Sequence, residues 1–290
     1  PNFGGLLVIG LGCEVNQVAG MAQSMSWANS DTFKMMTIQE VGGSRKTINE
    51  GVEMIKQMLP ILNKNKREKC PASGLILGLE CGGSDAYSGM TANPALGAAV
   101  DLLVKNGGTG TLAETPEIFG AEHLLTRRAI TEEVGNKIVN FIKWWQEDYL
   151  AKHQPEQLHQ DPSPGNKAGG LTTILEKSLG AVAKGGTTNL VDVYQYAEPI
   201  KAKGFTFMNT PGYDPLSVTG MVAGGANIIC FTTGRGSVFG CKPSPSIKLA
   251  TNNDLYERMT EDMDINCGKI LMGESNIEEM GKEIFQYILD

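Results

Sequence analysis

Unbroken apolar runs alternate with amphipathic stretches along most of this chain, and that alternation predicts strands separated by helices. Leu6 to Gly10 is a continuous apolar run, as expected of a parallel strand buried on both faces, and Thr32 to Gln39 is a second. Between Thr47 and Lys66 the residues Ile48, Val52, Ile55, Leu59 and Leu62 recur at spacings of four, three, four and three, which predicts one face of a helix. Leu75 to Leu79 reads as a third strand. Asn93-Pro94 then opens a helix that runs through Leu103 and stops at Asn106-Gly107-Gly108. Thr109 to Ala113 is a fourth strand, and Val134, Ile138, Ile142, Trp145 and Tyr149 mark a long amphipathic helix.

From His153 to Gly170 the chain is polar and rich in proline and glycine, a linker or a functional loop. A helix over Leu171 to Lys184 follows, then strands near Leu190 to Tyr194, Phe205 to Met208 and Asn227 to Phe231. Two last helices are expected at about Asp254 to Asp262 and Ile277 to Leu289. The pattern predicts an α/β fold: about seven mainly parallel strands with helices on both faces, in one domain over 1–290.

Composition narrows the partners. A hydrophobic fraction of 41% against 20% charged residues argues for a folded chain. The net charge of −7 argues against nucleic acid, and leaves small anions only where isolated Lys or Arg groups oppose the global field. Six scattered cysteines fit a reducing cytoplasm rather than a disulfide scaffold. No charged-then-apolar signal peptide is expected before the first strand, and no apolar run approaches the roughly 18 residues that a membrane span needs. The start at PNFGG and the finish inside a helical pattern lead us to expect the carboxyl-terminal piece of a longer polypeptide.

Chemistry concentrates where apolar runs end. In LILGLECGGSDAYSG the run stops at Cys81, two glycines, Ser84 and Asp85, and five looser versions end at Glu14, Glu40, Glu117, Gly212 and Gly236. In open α/β sheets ligands bind beyond the carboxyl ends of the strands, so these groups are expected to assemble one site. Gly10 and Gly12 resemble the start of a dinucleotide fingerprint, but Val15 stands where the third glycine belongs and Glu14 would oppose a diphosphate; a tight turn is favoured. Cys13 and Cys81 each follow a strand and adjoin a glutamate. They read either as structural thiols or as soft ligands for ferrous iron or zinc. Glu114 and Glu117 flank Thr115-Pro116 and read as hard oxygen ligands or as an acid/base pair, unless Glu117 and Glu122 are simply charges at a helix N-terminus. His123 alone reads as a structural histidine. Asn166 and Lys167, between prolines and glycines, offer an amide and an ammonium to a carboxylate, as Arg235 does between two glycines; Lys248 is a third cation.

GLGCE at 10–14, ECGGSD at 80–85, TANP at 91–94, ETPEIFGAEHLL at 114–125, PSPGNKAGGLTTILEKSLG at 162–180, TTGRGSVFG at 232–240 and IKLATN at 247–252 together resemble the galactarate/altronate dehydratase family, nearly end to end. The resemblance implies a Rossmann-like carboxyl-terminal domain and a hydro-lyase that removes water from a sugar acid to give a 2-keto-3-deoxy acid. Some relatives instead eliminate sulfite from sulfolactate. It also implies a divalent metal, Fe²⁺ foremost with Mn²⁺ or another divalent ion as alternatives, and a homodimer formed partly through regions beyond this sequence. The metal is then expected among Cys13, Cys81, Glu114 and Glu117. Arg235, Asn166, Ser84 and Asp85 are expected at the substrate, and Lys248, His123 and Lys167 as catalytic acid, base or clamp. A non-catalytic metal-binding or subunit-interaction fragment is the rival reading.

Overall fold

The computed structural model describes residues 2–24, 30–153 and 162–290. The chain divides into two compact units, Pro1–Cys70 and Pro71–Asp290, where one domain was expected.

In the first unit β1 (Leu6–Gly10) pairs in parallel with β2 (Phe33–Thr37), Leu6 opposite Phe33 and Gly10 opposite Thr37. The helix Ser44–Leu62 covers them, close to its expected span. Its buried face is not the expected stripe: Thr47, Gly51 and Met58 are buried, while Ile48, Val52, Ile55 and Leu59 are exposed. Gly51 explains the rotation. A Cβ there would lie 3.3 Å from Leu7 Cδ2 and 3.6 Å from Met36 Sδ, so the helix seats its smallest residue on the strands. β1 is not buried on both faces either, since Ile9 is 48% exposed.

The second unit holds a seven-stranded, wholly parallel sheet. Its strands are β3 (Ile76–Cys81), β4 (Thr109–Leu112), β5 (Leu190–Tyr194), β6 (Gly204–Met208), β7 (Ile228–Thr233), β8 (Ser246–Ala250) and β9 (Ile265–Asn266), in the order β5-β6-β4-β3-β7-β8-β9. The number seven agrees with expectation, but its membership does not. β1 and β2 lie in the other sheet, and β8 and β9 take their places. A lysine interrupts the apolar run of β8 and β9 is two residues long, so neither stands out in the sequence.

Helices cover both faces. On one, Leu96, Val100 and Leu103 of the helix Ala92–Lys105 pack with Leu77, Leu79, Leu112, Phe205 and Phe207 of the strands. Each such side chain contributes about 1.5–3 kcal/mol by burial. The helix Ile277–Leu289 docks behind at Gly281, where a Cβ would lie 2.5 Å from Ala98 Cβ. On the other face the helix Asp214–Ala223 packs Val218 and Met221 against Met208 and Ile229. Adjacent residues Ile229 and Cys230 fall in different clusters, as the pleat of a central strand requires.

β3 is the middle strand, with β4 on one side and β7 on the other. The order therefore reverses at β3, and a crevice opens beyond the carboxyl ends of β3, β4 and β7.

Candidate active site

Four strand ends supply the crevice. β3 ends in Glu80 and Cys81, both buried; β4 leads into Glu114; β6 leads through Thr210 to Asp214; β7 leads to Arg235. Glu114 adopts φ 64° and ψ 63°, a left-handed conformation that costs a non-glycine residue on the order of 1–3 kcal/mol. Its N–H donates to Thr210 Oγ1 at 2.8 Å and the next N–H, of Thr115, to Thr210 O at 3.0 Å, which holds the turn. The turn aims the carboxylate at β3. There Glu114 Oε2 accepts from Cys81 N–H at 3.2 Å and from the Cys81 thiol at 3.5 Å, and pairs with Lys184 Nζ at 2.9 Å.

Lys184, at the end of the helix Ile174–Ala183, is completely buried. Burial works against its charge, but Cys81, Glu114 and Glu80 around it outweigh that and push its pKa up, so it stays an ammonium. Burial would raise the Glu114 carboxyl, yet the charge of Lys184 brings it below its ordinary range. Glu80 goes the other way: burial, then the like charge of Glu114, lifts it well above 4.5. Glu80 Oε2 accepts from Ser217 Oγ at 2.7 Å, and Ser217 Oγ lies 3.0 Å from Thr210 Oγ1. Glu80 Oε1 is buried with no hydrogen-bond partner.

Glu80, Glu114 and Asp214 each offer an oxygen within 4.8 Å of the others. Three hard oxygen donors, one orphaned in the interior, fit a divalent cation. Burial and Glu114 likewise lift the Asp214 carboxyl.

Glu114 and Asp214 open on a cavity of about 770 Å³, also lined by Cys81, Glu117, Asn166, Lys177 and Arg235, with Trp145, Tyr149 and Phe119 as an apolar wall. Trp145 and Tyr149 of the wall come from the long helix of the sequence pattern, which changes character: Glu132–Lys143 is α-helical and Trp144–Leu150 is π-helical. Such turns recur at functional sites. Trp145 Nε1 donates to Asn209 Oδ1 at 2.8 Å, and Thr115 Oγ1 donates to the same oxygen at 2.7 Å, which ties the wall to the Glu114 turn. Glu117 forms an ion pair with Lys177 inside the cavity. Burial and the charge of Glu114 lift the Glu117 carboxyl despite Lys177, whereas for Lys177 the attraction of Glu117 and Cys81 outweighs burial and raises its pKa.

The expected residues therefore separate. Cys81, Glu114, Glu117, Asn166 and Arg235 share one cavity. Asn166 also braces its rim, its amide Nδ2 donating to Ser84 O at 2.9 Å. The Cys81 thiol is not one of the three oxygen donors, and burial and then Glu114 push its pKa far up. Cys13 belongs to the first unit, exposed, with Sγ 3.5 Å from Gln39 Nε2. Ser84 and Asp85 are buried outside this cavity's lining. The Asp85 carboxylate is saturated by Ser88 Oγ at 2.9 Å, Thr251 Oγ1 at 2.9 Å and Asn252 Nδ2 at 3.0 Å, and a Cβ at Gly234 would collide with it. It joins loops. Lys248 does not line the cavity: its Nζ donates to Ser237 O at 2.8 Å and sits 4.7 Å from the Phe231 ring centre. His123 is exposed, with Nδ1 3.2 Å from Gly120 O, and Lys167 is exposed on the short helix Pro164–Ala168; neither lines the cavity. Of the loop expected over 153–170, residues 154–161, Asp161 included, lie outside the described residues.

Sequence reasoning passed over Lys184, Lys177 and Asp214 as site residues and noted Glu80 only as a neighbour of Cys81. The helix pattern was one available signal, since Lys177 and Lys184 stand seven apart, two turns along one face.

The family model described as D-galactarate/altronate dehydratase, C-terminal, matches residues 72–290, and that of the D-galactarate dehydratase/altronate hydrolase second domain matches residues 1–63. The chain is 41% identical over 290 residues to the altronate dehydratase of Bacillus subtilis (strain 168), covering 100% of this chain and 57% of that protein. It is 40% identical over 297 residues to the galactarate dehydratase (L-threo-forming) of Escherichia coli (strain K12), covering 100% and 56%. The altronate dehydratase of the same strain is 38% identical over 275 residues, covering 95% and 54%. The chain thus spans little more than half the length of these relatives. Among the described residues no helix is long and apolar enough to cross a membrane.

Proposed function

The chain belongs to the D-galactarate/altronate dehydratase family, and from that premise we propose that it carries the dehydration site for a sugar acid, releasing water and a 2-keto-3-deoxy acid. The observation that carries this reading is the group of carboxylates Glu80, Glu114 and Asp214, the first two buried, opening on a cavity that also holds a lysine–glutamate pair and an arginine.

Glu80, Glu114 and Asp214 would hold a divalent ion, Fe²⁺ foremost. Bound there, such an ion would polarise the substrate carboxylate and 2-hydroxyl, so that the neighbouring C–H becomes acidic enough to remove. Arg235, which forms no ion pair among the described residues, and Asn166 bind the carboxylate. Glu117, a carboxylate whose pKa is lifted, takes the proton from carbon; the C–H electrons form the C=C bond as the C–O bond of the adjacent hydroxyl breaks. Lys177 gives its proton to the departing hydroxyl, which leaves as water. The enol tautomerises to the keto acid, and the proton held by Glu117 returns to Lys177 across their contact. The aromatic wall limits water around these charges.

Anaerobic incubation with Fe²⁺ and a panel of galactarate, altronate, other sugar acids and sulfolactate, scored for keto acid and for sulfite, tests the reading. Keto acid from a sugar acid is expected, with Glu117→Gln and Lys177→Met each slowing turnover by roughly 10²–10⁴-fold. Undiminished turnover in both variants would overturn the acid/base assignment. Sulfite release from sulfolactate alone would replace dehydration with sulfo-lyase chemistry.

A further inference from the structure

Lys184 is a charged member of this site that substrate does not touch. It is completely buried, it does not line the cavity, and its ammonium stands on Glu114 Oε2. A buried ammonium is costly unless paired, and a leucine or methionine would fill the same volume. Its placement divides labour among the carboxylate oxygens. Lys184 and the Cys81 N–H occupy Glu114 Oε2, and Ser217 occupies Glu80 Oε2, while Glu80 Oε1 has no partner. The carboxylates of Glu80, Glu114 and Asp214 bring three negative charges when all are ionised, and the ammonium cancels one.

We propose that Lys184 is a positioning residue that sets the valence of the ion accepted at Glu80, Glu114 and Asp214: by leaving two uncancelled negative charges, it matches the site to a divalent cation and penalises a trivalent one. This rests on the metal reading above. A fixed positive charge repels a trivalent ion half as much again as a divalent ion at the same place, so its removal favours the trivalent ion more. A purely structural lysine would not discriminate: its loss would loosen Glu114 and weaken both ions together.

The test measures the affinity of the 290-residue chain for Mn²⁺ and for Tb³⁺. In the wild type, Tb³⁺ is expected to bind less than about thirtyfold more tightly than Mn²⁺, and a larger preference overturns the proposal. In Lys184→Met and Lys184→Gln the Tb³⁺-to-Mn²⁺ affinity ratio is expected to rise about tenfold or more, and a smaller change overturns it. The wild-type measurement stands even if neither variant folds. Ser217→Ala, which removes a neutral hydrogen bond, is expected to weaken both ions by a common factor of about 10–100 with the ratio kept; a shifted ratio there would show that valence selection does not need the lysine charge. Glu80→Gln and Asp214→Asn separate the two levels. If neither weakens Mn²⁺ binding, the metal reading itself fails. If both do and the ratio ignores Lys184, the valence proposal fails alone.

Discussion

The end of β1 reads Gly12-Cys13-Glu14 and the end of β3 reads Glu80-Cys81-Gly82, nearly the same letters in opposite surroundings. The Glu14 carboxylate folds back on its own turn, accepting from Leu11 N–H at 2.8 Å and Gly12 N–H at 2.5 Å, and the backbone N–H groups of Glu14 and Gly12 hold its pKa down. Glu80 lies in the interior beside a second carboxylate and is pushed up. A cysteine–glutamate pair at a strand end therefore carries no fixed chemistry. What decides is whether the strand is an outer member of a two-stranded sheet or the centre of a seven-stranded one, where a carboxylate meets neighbours from β4 and β6.

The contrast would break most visibly in ion binding. Glu80→Gln is expected to weaken Mn²⁺ affinity at least about a hundredfold and Glu14→Gln to leave it unchanged, by titration calorimetry; equal losses would place ligands at both strand ends. The cysteines should separate less. Because its thiol is not one of the three oxygen donors, Cys81→Ser is expected to cost about tenfold or less in Mn²⁺ affinity, the lower end of what groups around a metal contribute, and Cys13→Ser nothing. A hundredfold loss in Cys81→Ser would restore the thiolate-ligand reading. The smallest effect concerns pH in the metal-free chain. The folded pKa of Glu80 lies above its ordinary 4.5, so the folded state keeps a proton that the unfolded state releases; its contribution is full below about 4.5 and declines as pH rises toward the folded value. Glu80→Gln should flatten that decline in denaturant midpoints. Glu14, with a lowered pKa, acts in the reverse sense, its contribution lost as pH falls below 4.5, and Glu14→Gln should flatten that limb instead.

The fold was largely legible because a buried parallel sheet writes itself as apolar runs: β3, β4, β6 and β7 all stand near where those runs place them. β8 escaped because Lys248 sits inside its run, with its ammonium on the Ser237 carbonyl and the Phe231 ring rather than in a cavity. The division into two units escaped because the apolar runs of β1 and β2 do not announce which sheet they join. Of the cavity lining, Cys81, Glu114, Glu117, Asn166 and Arg235 were singled out from their places after strands and in glycine-rich loops. Glu80, Asp214, Lys177 and Lys184 were not, since their meaning comes from contacts far apart in sequence, such as Lys184 on Glu114. His123 and Lys167 show the converse: residue types suited to acid–base or anion chemistry, set on the surface beside the motif that attracted attention.

The Asp85 carboxylate fastens the segments after β3, β7 and β8 into a single knot, by way of Ser88, Gly234, Thr251 and Asn252. Arg235 sits on one of those strings. Anyone wishing to retune substrate choice by transplanting the arginine loop from a relative would have to carry all three segments across as a set, because a foreign residue at Gly234 would untie the other two. On the role proposed for Arg235, the part of this protein best placed to vary its substrate is thereby also a part least free to vary piecemeal.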